Sequence, residues 1–265
     1  MKINYKATTL ALIFSLLVPF YAYSQRNVEI IELGRWNENR LSQMVSQKPD
    51  TTQSQVDYIS GRFLGTPYKA STLTGDINTP EIFTINLRGM DCFTYLDYVE
   101  ALRLSNNYDE FTPNVKDIRY RDGKVSFQNR NHFFSDWPIE NKENIIDVTY
   151  QVAGGSAVGV EKSLNLKEDG STFLPGIAIS KRELYYIPSS KVDEQVIAKL
   201  RTGDYVGMYT DIDGLDVTHT GIIIKKDDGI YLRHASSKKS SHKVVDEDFV
   251  EYIENVPGII VYRPK

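Results

Sequence analysis

The chain is poor in cysteine. Among its 265 residues only Cys92 carries a thiol, so no internal disulfide can form. It is nearly as poor in histidine, with four in all, His132, His219, His234 and His242. It has no cationic excess either: 31 Lys and Arg stand against 35 Asp and Glu, a formal charge of −4. Nucleic-acid binding rests on clustered cations that neutralise phosphates, and no basic tract is present to do this. After residue 24 no apolar run is long enough to span a membrane. There are no repeats and no low-complexity segments.

The first 24 residues differ from the rest. Lys2 and Lys6 precede an apolar run from Leu10 to Phe20, and Ala22-Tyr23-Ser24 follows. This is the pattern of a secretory signal peptide, too short and wrongly flanked for an anchor. No cysteine lies near the cleavage point, so a lipid-anchored signal is not supported. The expectation is a soluble protein, exported to the periplasm and monomeric. In an oxidising compartment a spare thiol needs a reason, although free cysteine also serves as a small buried hydrophobe. The 17 tyrosines suit polar, sugar-like or peptide-like ligands, and equally suit ordinary sheet packing.

The remaining chain divides into a helical N-terminal extension, residues 25–50, and one domain, 51–265. Thr51 or Thr52 can cap a helix running to about Phe63, with Val56, Ile59 and Phe63 on one face. Gly65-Thr66-Pro67-Tyr68 ends it, and an irregular loop occupies 69–86. From Cys92 to Leu104 apolar residues recur with helical spacing, and Asp91 is a good N-cap. After Pro113 the pattern changes to strands. Asp122-Gly123, between 117–121 and 124–128, signals a hairpin. A second hairpin joins 218–225 to 230–234, with further strands at 200–208 and 258–262. Helix first and antiparallel sheet afterwards gives an α+β class.

If Asp91 caps the helix, Cys92 sits in its first turn, where unpaired N–H groups and the positive dipole end favour a thiolate. A nucleophilic cysteine also needs a base, usually histidine. His219 and His234 lie on the two strands of one predicted hairpin. With a four-residue loop at 226–229, His234 falls opposite Gly221, and His219 is its diagonal neighbour, roughly 7–8 Å away at Cα. With a two-residue turn at Asp228-Gly229, His234 falls opposite Ile223. Positions 219, 221 and 223 share a face, so both registers place the two imidazoles on one side. Gly221 between them would leave room for a ring or ligand. One ring can take the thiol proton while the other orients it. Either histidine alone could simply decorate a sheet. Zinc held by Cys92, His219 and His234 is chemically admissible, but no ligand pair has close metal spacing and a helix N-terminus repels a cation. No metal and no other cofactor is expected. His132 lies in Asn129-Arg130-Asn131-His132-Phe133-Phe134-Ser135-Asp136-Trp137, which could line a cleft or pack as a surface loop. His242, among Lys and Ser, is expected to be solvated.

Leu64-Gly65-Thr66-Pro67-Tyr68, Met90-Asp91-Cys92, Leu200 to Val206, His219-Thr220-Gly221-Ile222 and His234-Ala235-Ser236 follow, in order, the motifs of NlpC-like cysteine hydrolases. The sequence resembles these papain-like enzymes, which cut bacterial cell-wall peptides, from about residue 55 to the end. The resemblance implies a papain-like core with Cys92 as nucleophile, His219 as base and His234 as the residue that orients it. Tyr68 would line the site near the thiol, and Asp91 matches the acidic residue before the nucleophile. Where many family endopeptidases carry serine after the cysteine, to help hold a free L-alanine amine, this chain has Phe93. Phenylalanine cannot accept a hydrogen bond from an ammonium group, and burying that charge unpaired is costly. The chain is therefore more similar to the N-acetylmuramoyl-L-alanine amidase-like branch, a match the His132–Trp137 run strengthens. The expected function is hydrolysis of the MurNAc–L-Ala amide in peptidoglycan or muropeptides through a thioester. A γ-D-glutamyl-diamino acid endopeptidase and a non-catalytic cell-wall binding module are the alternatives.

Overall fold

A computed structural model describes residues 28–265; the expected signal peptide lies outside the described residues. The strands are β1 (Glu29–Glu32), β2 (Phe83–Asn86), β3 (Ile145–Asp147), β4 (Val158–Leu164), β5 (Ser180–Pro188), β6 (Tyr205–Tyr209), β7 (Val217–Lys226), β8 (Gly229–Ala235), β9 (Val244–Asp248) and β10 (Gly258–Pro264). The four longer helices are α1 (Glu38–Ser46), α2 (Thr52–Gly61), α3 (Cys92–Leu104) and α4 (Tyr108–Arg119). The main sheet is antiparallel and runs β4-β5-β10-β6-β7-β8-β9, with β3 also paired to β10. The protein is thus α+β, with helices leading and the sheet following.

One helix organises the centre. Asp91 closes a capping box on α3: its Oδ1 accepts from Phe93 N at 3.1 Å and Thr94 N at 2.8 Å, while Thr94 Oγ1 accepts from Asp91 N. Reciprocal capping satisfies the orphan donors of the first turn. Every residue from Thr94 to Arg103 is buried, so α3 is enclosed on all sides by α2, α4, β7 and β8. Val56, Ile59 and Phe63, the expected inner face of α2, join that core at 0 % exposure, and Thr51 caps the helix through Ser54 N.

Four expectations change. Residues 26–50 were expected to hold one helix; instead β1 precedes α1 and pairs in parallel with β2, which also shortens the expected loop. Leu41, Met44 and Val45 of α1 enter the same core as α3. Residues 117–128 form no hairpin. Asn107 caps α4, acids fill its first turn, and Phe111, Val115 and Ile118 bury at helical spacing. The helix therefore absorbs Pro113 at the loss of one backbone bond. Asp122 and Gly123, with φ of 51° and 64°, lie in a short 3-10 turn just after that helix rather than in a strand pair. Residues 200–204 are turn, not strand. Finally, β4 and β5 form an unforeseen hairpin, most of whose side chains are exposed or half-buried.

Candidate functional site

The β7–β8 hairpin has the register expected for the four-residue loop: Ile222 pairs with Arg233 and Lys225 with Ile230. His219 and His234 consequently share a face, and His219 Nε2 lies 2.6 Å from His234 Nδ1. Gly221 is needed for close packing rather than for open space. A Cβ there would meet Leu232 Cδ1 at 2.5 Å and the Arg233 carbonyl at 3.1 Å. Thr220, on the strand's other face, donates from Oγ1 to the Cys92 carbonyl at 3.0 Å and so fastens β7 to the start of α3. Cys92 and His219 thereby line one cleft of about 260 Å³, with Phe93, His132, Phe134, Phe173, Leu174 and Asp216 among its other walls.

The electrostatics differ from the helix-dipole expectation for Cys92. Burial, then the neighbouring Asp91 carboxylate, pushes its thiol up to about 11, and contacts from Thr220 only partly offset this. A half-unit dipole charge cannot repay desolvation of a thiolate together with repulsion from a carboxylate. Burial likewise pulls His219 down to about 3, with His234 and Lys238 adding to it. Burial pulls His234 down to about 4 against the opposing pull of Glu247. The resting pair at neutral pH is a thiol beside uncharged imidazoles, not a thiolate–imidazolium pair.

The other expected site residues fall in different places. Phe93 packs against Phe134 and Trp137, with ring centroids 6.3 and 5.7 Å away, and forms an apolar wall. His132 lines the cleft, but its Nε2 is bonded to the Phe127 carbonyl at 2.7 Å. Asp91 spends Oδ1 on the α3 cap. Tyr68 is not among the residues that line this cleft; burial, then the Cys92 and Asp91 charges, raises its hydroxyl. His242 is not merely solvated; its ring lies 5.3 Å from that of Tyr68 and its carbonyl accepts the Tyr68 N–H at 3.0 Å.

Several neighbours were not foreseen. The Tyr252 ring lies 6.0 Å from His219 and 5.1 Å from His234. Glu247 Oε1 stands 3.4 Å from His234 Nε2. Asp216, 2 % exposed, accepts from Ser135 N at 2.7 Å and ties the 132–137 wall to β7. Phe173 and Leu174 arrive on a loop held by Asn165, whose side chain bonds the backbone of Leu174 and Ile177. No periodicity marks these residues, because each reaches the site or its histidines from a different segment: Asp216, Phe173 and Leu174 from loops, Tyr252 from a short helix and Glu247 from β9. Among the described residues no group of three or more His, Cys, Asp or Glu is placed to hold a metal ion, and no helix is long and apolar enough to cross a membrane.

The model of the AmiA-like family, described as N-acetylmuramoyl-L-alanine amidase-like, matches residues 58–259. An N-acetylmuramoyl-L-alanine amidase from Bacteroides uniformis is 27% identical, with a TM-score of 0.69 over 82% of this chain and 100% of that one. A putative xylanase from Bacteroides fragilis is 29% identical, with a TM-score of 0.63 over 77% and 98%. A Legionella pneumophila protein, 22% identical, shares the fold with a TM-score of 0.73 over 86% and 94%. Comparison with curated proteins gave no match.

Proposed function

The chain belongs to the AmiA-like, N-acetylmuramoyl-L-alanine amidase-like family, and from that premise we propose that it is an exported cysteine amidase cutting the MurNAc–L-Ala amide of muropeptides. The observation that carries this reading is the meeting of Cys92 and His219 in one cleft, with His234 bonded to His219 at 2.6 Å. The amidase relative from Bacteroides uniformis supports the substrate class. We place the papain-like unit over residues 51–265, preceded by an N-terminal segment whose β1 and α1 pack onto it, behind a signal peptide at 1–24.

The mechanism follows from the resting charges. With the thiol near 11 and His219 near 3, the thiol proton passes to His219 as sulfur attacks the lactyl carbonyl, rather than beforehand. The S–C bond forms, and charge develops on the carbonyl oxygen. The backbone N–H of Cys92, aided by Tyr68, is suited to stabilise that oxygen. The C–N bond breaks as His219 returns the proton to the alanine nitrogen. Water, losing a proton to His219, then hydrolyses the thioester and frees the thiol and the muramic acid carboxylate. Phe93, packed as an apolar wall, offers no acceptor to a free amine, which agrees with a substrate whose alanine nitrogen is already acylated.

The test is mass spectrometry of a disaccharide-peptide and a free stem peptide after incubation with the protein and with Cys92→Ala. Release of an intact L-Ala-led peptide by the unaltered protein alone is expected. Cleavage of the free stem peptide instead would mean an endopeptidase. No turnover of either would favour a binding module.

A further inference from the structure

The His219–His234 contact leaves one question open: two neutral imidazoles can share a proton in either direction, and only one direction leaves His219 a base. Of the four ring nitrogens, two face each other, His219 Nε2 and His234 Nδ1, at 2.6 Å. The fourth, His234 Nε2, is fully enclosed and has no polar atom in hydrogen-bond alignment. The group it faces is Glu247 Oε1, at 3.4 Å. Glu247 is placed there by the sheet. On β9 Val245 pairs with His234 and Glu247 with Leu232, so Glu247 shares the His234 face as its diagonal neighbour. Lys238 pairs with its Oε2, and Ser236 Oγ donates to its Oε1 at 3.2 Å.

We infer that Glu247 is a positioning residue that sets the tautomers of both histidines and leaves His219 Nδ1 as the free base. A carboxylate can only accept. Burial pushes Glu247 up, but the Lys238 hydrogen bond and charge, with the hydrogen bond from Ser236, act against it and Glu247 is held below the usual range, so it is ionised at neutral pH. His234 Nε2 therefore carries the hydrogen, and His234 Nδ1 carries the lone pair. His219 Nε2 must then donate to that lone pair. The nitrogen left unprotonated on His219 is Nδ1, in the residue that shares the cleft with Cys92. Reverse the chain, and His219 Nε2 would be the acceptor and Nδ1 would carry the hydrogen, useless as a base. As His219 takes up a proton, the positive charge relayed toward His234 draws Glu247 closer, as such contacts tighten when charge develops.

This inference rests on the cysteine-amidase reading for its catalytic consequence but not for its test. Long-range proton–nitrogen NMR on histidine-labelled free protein, assigned by single histidine substitutions, reads each tautomer without substrate. The unaltered protein is expected to show Nε2–H on both His219 and His234, and an Nδ1–H form on either would overturn the proposal. Glu247→Ala should introduce Nδ1–H forms and lower kcat about ten- to a hundredfold, as losing the outer partner of a functional histidine does, with KM little changed. Glu247→Gln, whose amide can turn either face to His234, gives the same direction in smaller measure and serves if the alanine variant does not fold. Unchanged tautomers in both variants would overturn the role of Glu247. If Cys92→Ala keeps its activity, the nucleophile assignment fails while the spectra still decide the tautomer chain.

Discussion

Cys92 reverses the simplest expectation for a thiol at a helix start, because its local field includes more than the helix. The dipole and the Thr220 contacts favour the thiolate, but enclosure and the Asp91 charge oppose it more strongly. With the thiol up at about 11 and His219 down at about 3, neither group changes charge between pH 5 and 9. The expected kcat/KM profile is a broad plateau over that range, measured from initial rates, rather than a bell centred near neutrality. Alkylation of Cys92 by iodoacetamide should keep rising about tenfold per pH unit up to at least pH 9.5, since the reactive species is the thiolate. A plateau at pH 7 would show a preformed ion pair. The same charges govern acid stability. His234 is 1 % exposed and held neutral down to about 4, while the unfolded chain protonates it near 6.5. The contribution is therefore intact above pH 6.5 and declines as pH falls toward 4, by up to about 1.4 kcal/mol per pH unit. Thermal melting against pH should be flatter over that window in His234→Asn.

At the scale of elements, the site rests on one capped helix and one hairpin. Asp91→Ala removes acceptors from Phe93 N and Thr94 N and should cost about 1 kcal/mol, read by denaturant unfolding, whereas Asp91→Asn keeps most of the cap. Gly221→Ala should cost more, about 1–3 kcal/mol. Its Cβ would press on Leu232 and the Arg233 backbone, just where the strand hands His219 to His234, so turnover should fall with stability. These are the elements that were legible in advance. An N-cap beside a helical stripe and the period-2 parity of a hairpin both survive any tertiary context that buries them. The misread segment, 117–128, shows the limit. Asp-Gly reports only that the chain turns through left-handed backbone, which ends a helix as readily as it joins strands. The β4–β5 hairpin was illegible because its outward side chains give no apolar alternation. Glu247 and Tyr252 were invisible for a related reason: their place beside His234 depends on which strand lies next to β8.

Across the whole molecule, charge is buried where the helix layer meets the sheet, and this is why α3 could be seen as a helix but not as a central one. A stripe on one face predicts one buried side, yet here the polar side is buried too, its groups paired within α3 or with distant segments. Glu100 binds Arg103 and Tyr205. Arg233 joins β8 to Asp57 of α2 and to Asp246 of β9. Asp97 on α3 holds Arg119 of α4 at 2.8 Å with its other oxygen 3.3 Å from Trp137 Nε1, and Arg119 reaches on to the Thr84 carbonyl of β2 at 2.6 Å. Four segments thus meet at one ion pair with side chains only 6 % and 2 % exposed. Burial raises the Asp97 carboxyl despite its cationic partner, so the pair is held by geometry as much as by charge. Breaking it from one side leaves a guanidinium enclosed without a counter-ion, and Asp97→Ala should cost about 3–5 kcal/mol. Asp97→Asn keeps the Trp137 and Arg119 contacts in neutral form and should cost less. Replacing both partners with apolar residues of similar volume, Asp97→Leu with Arg119→Met, should restore stability beyond either single change, because the cost lies in the orphaned charge and not in the missing attraction. Urea unfolding of the three variants decides this: a double variant no more stable than Asp97→Ala would mean that the pair itself, through its hydrogen bonds to Thr84 and Trp137, holds α3 and α4 to β2 and the Trp137 segment.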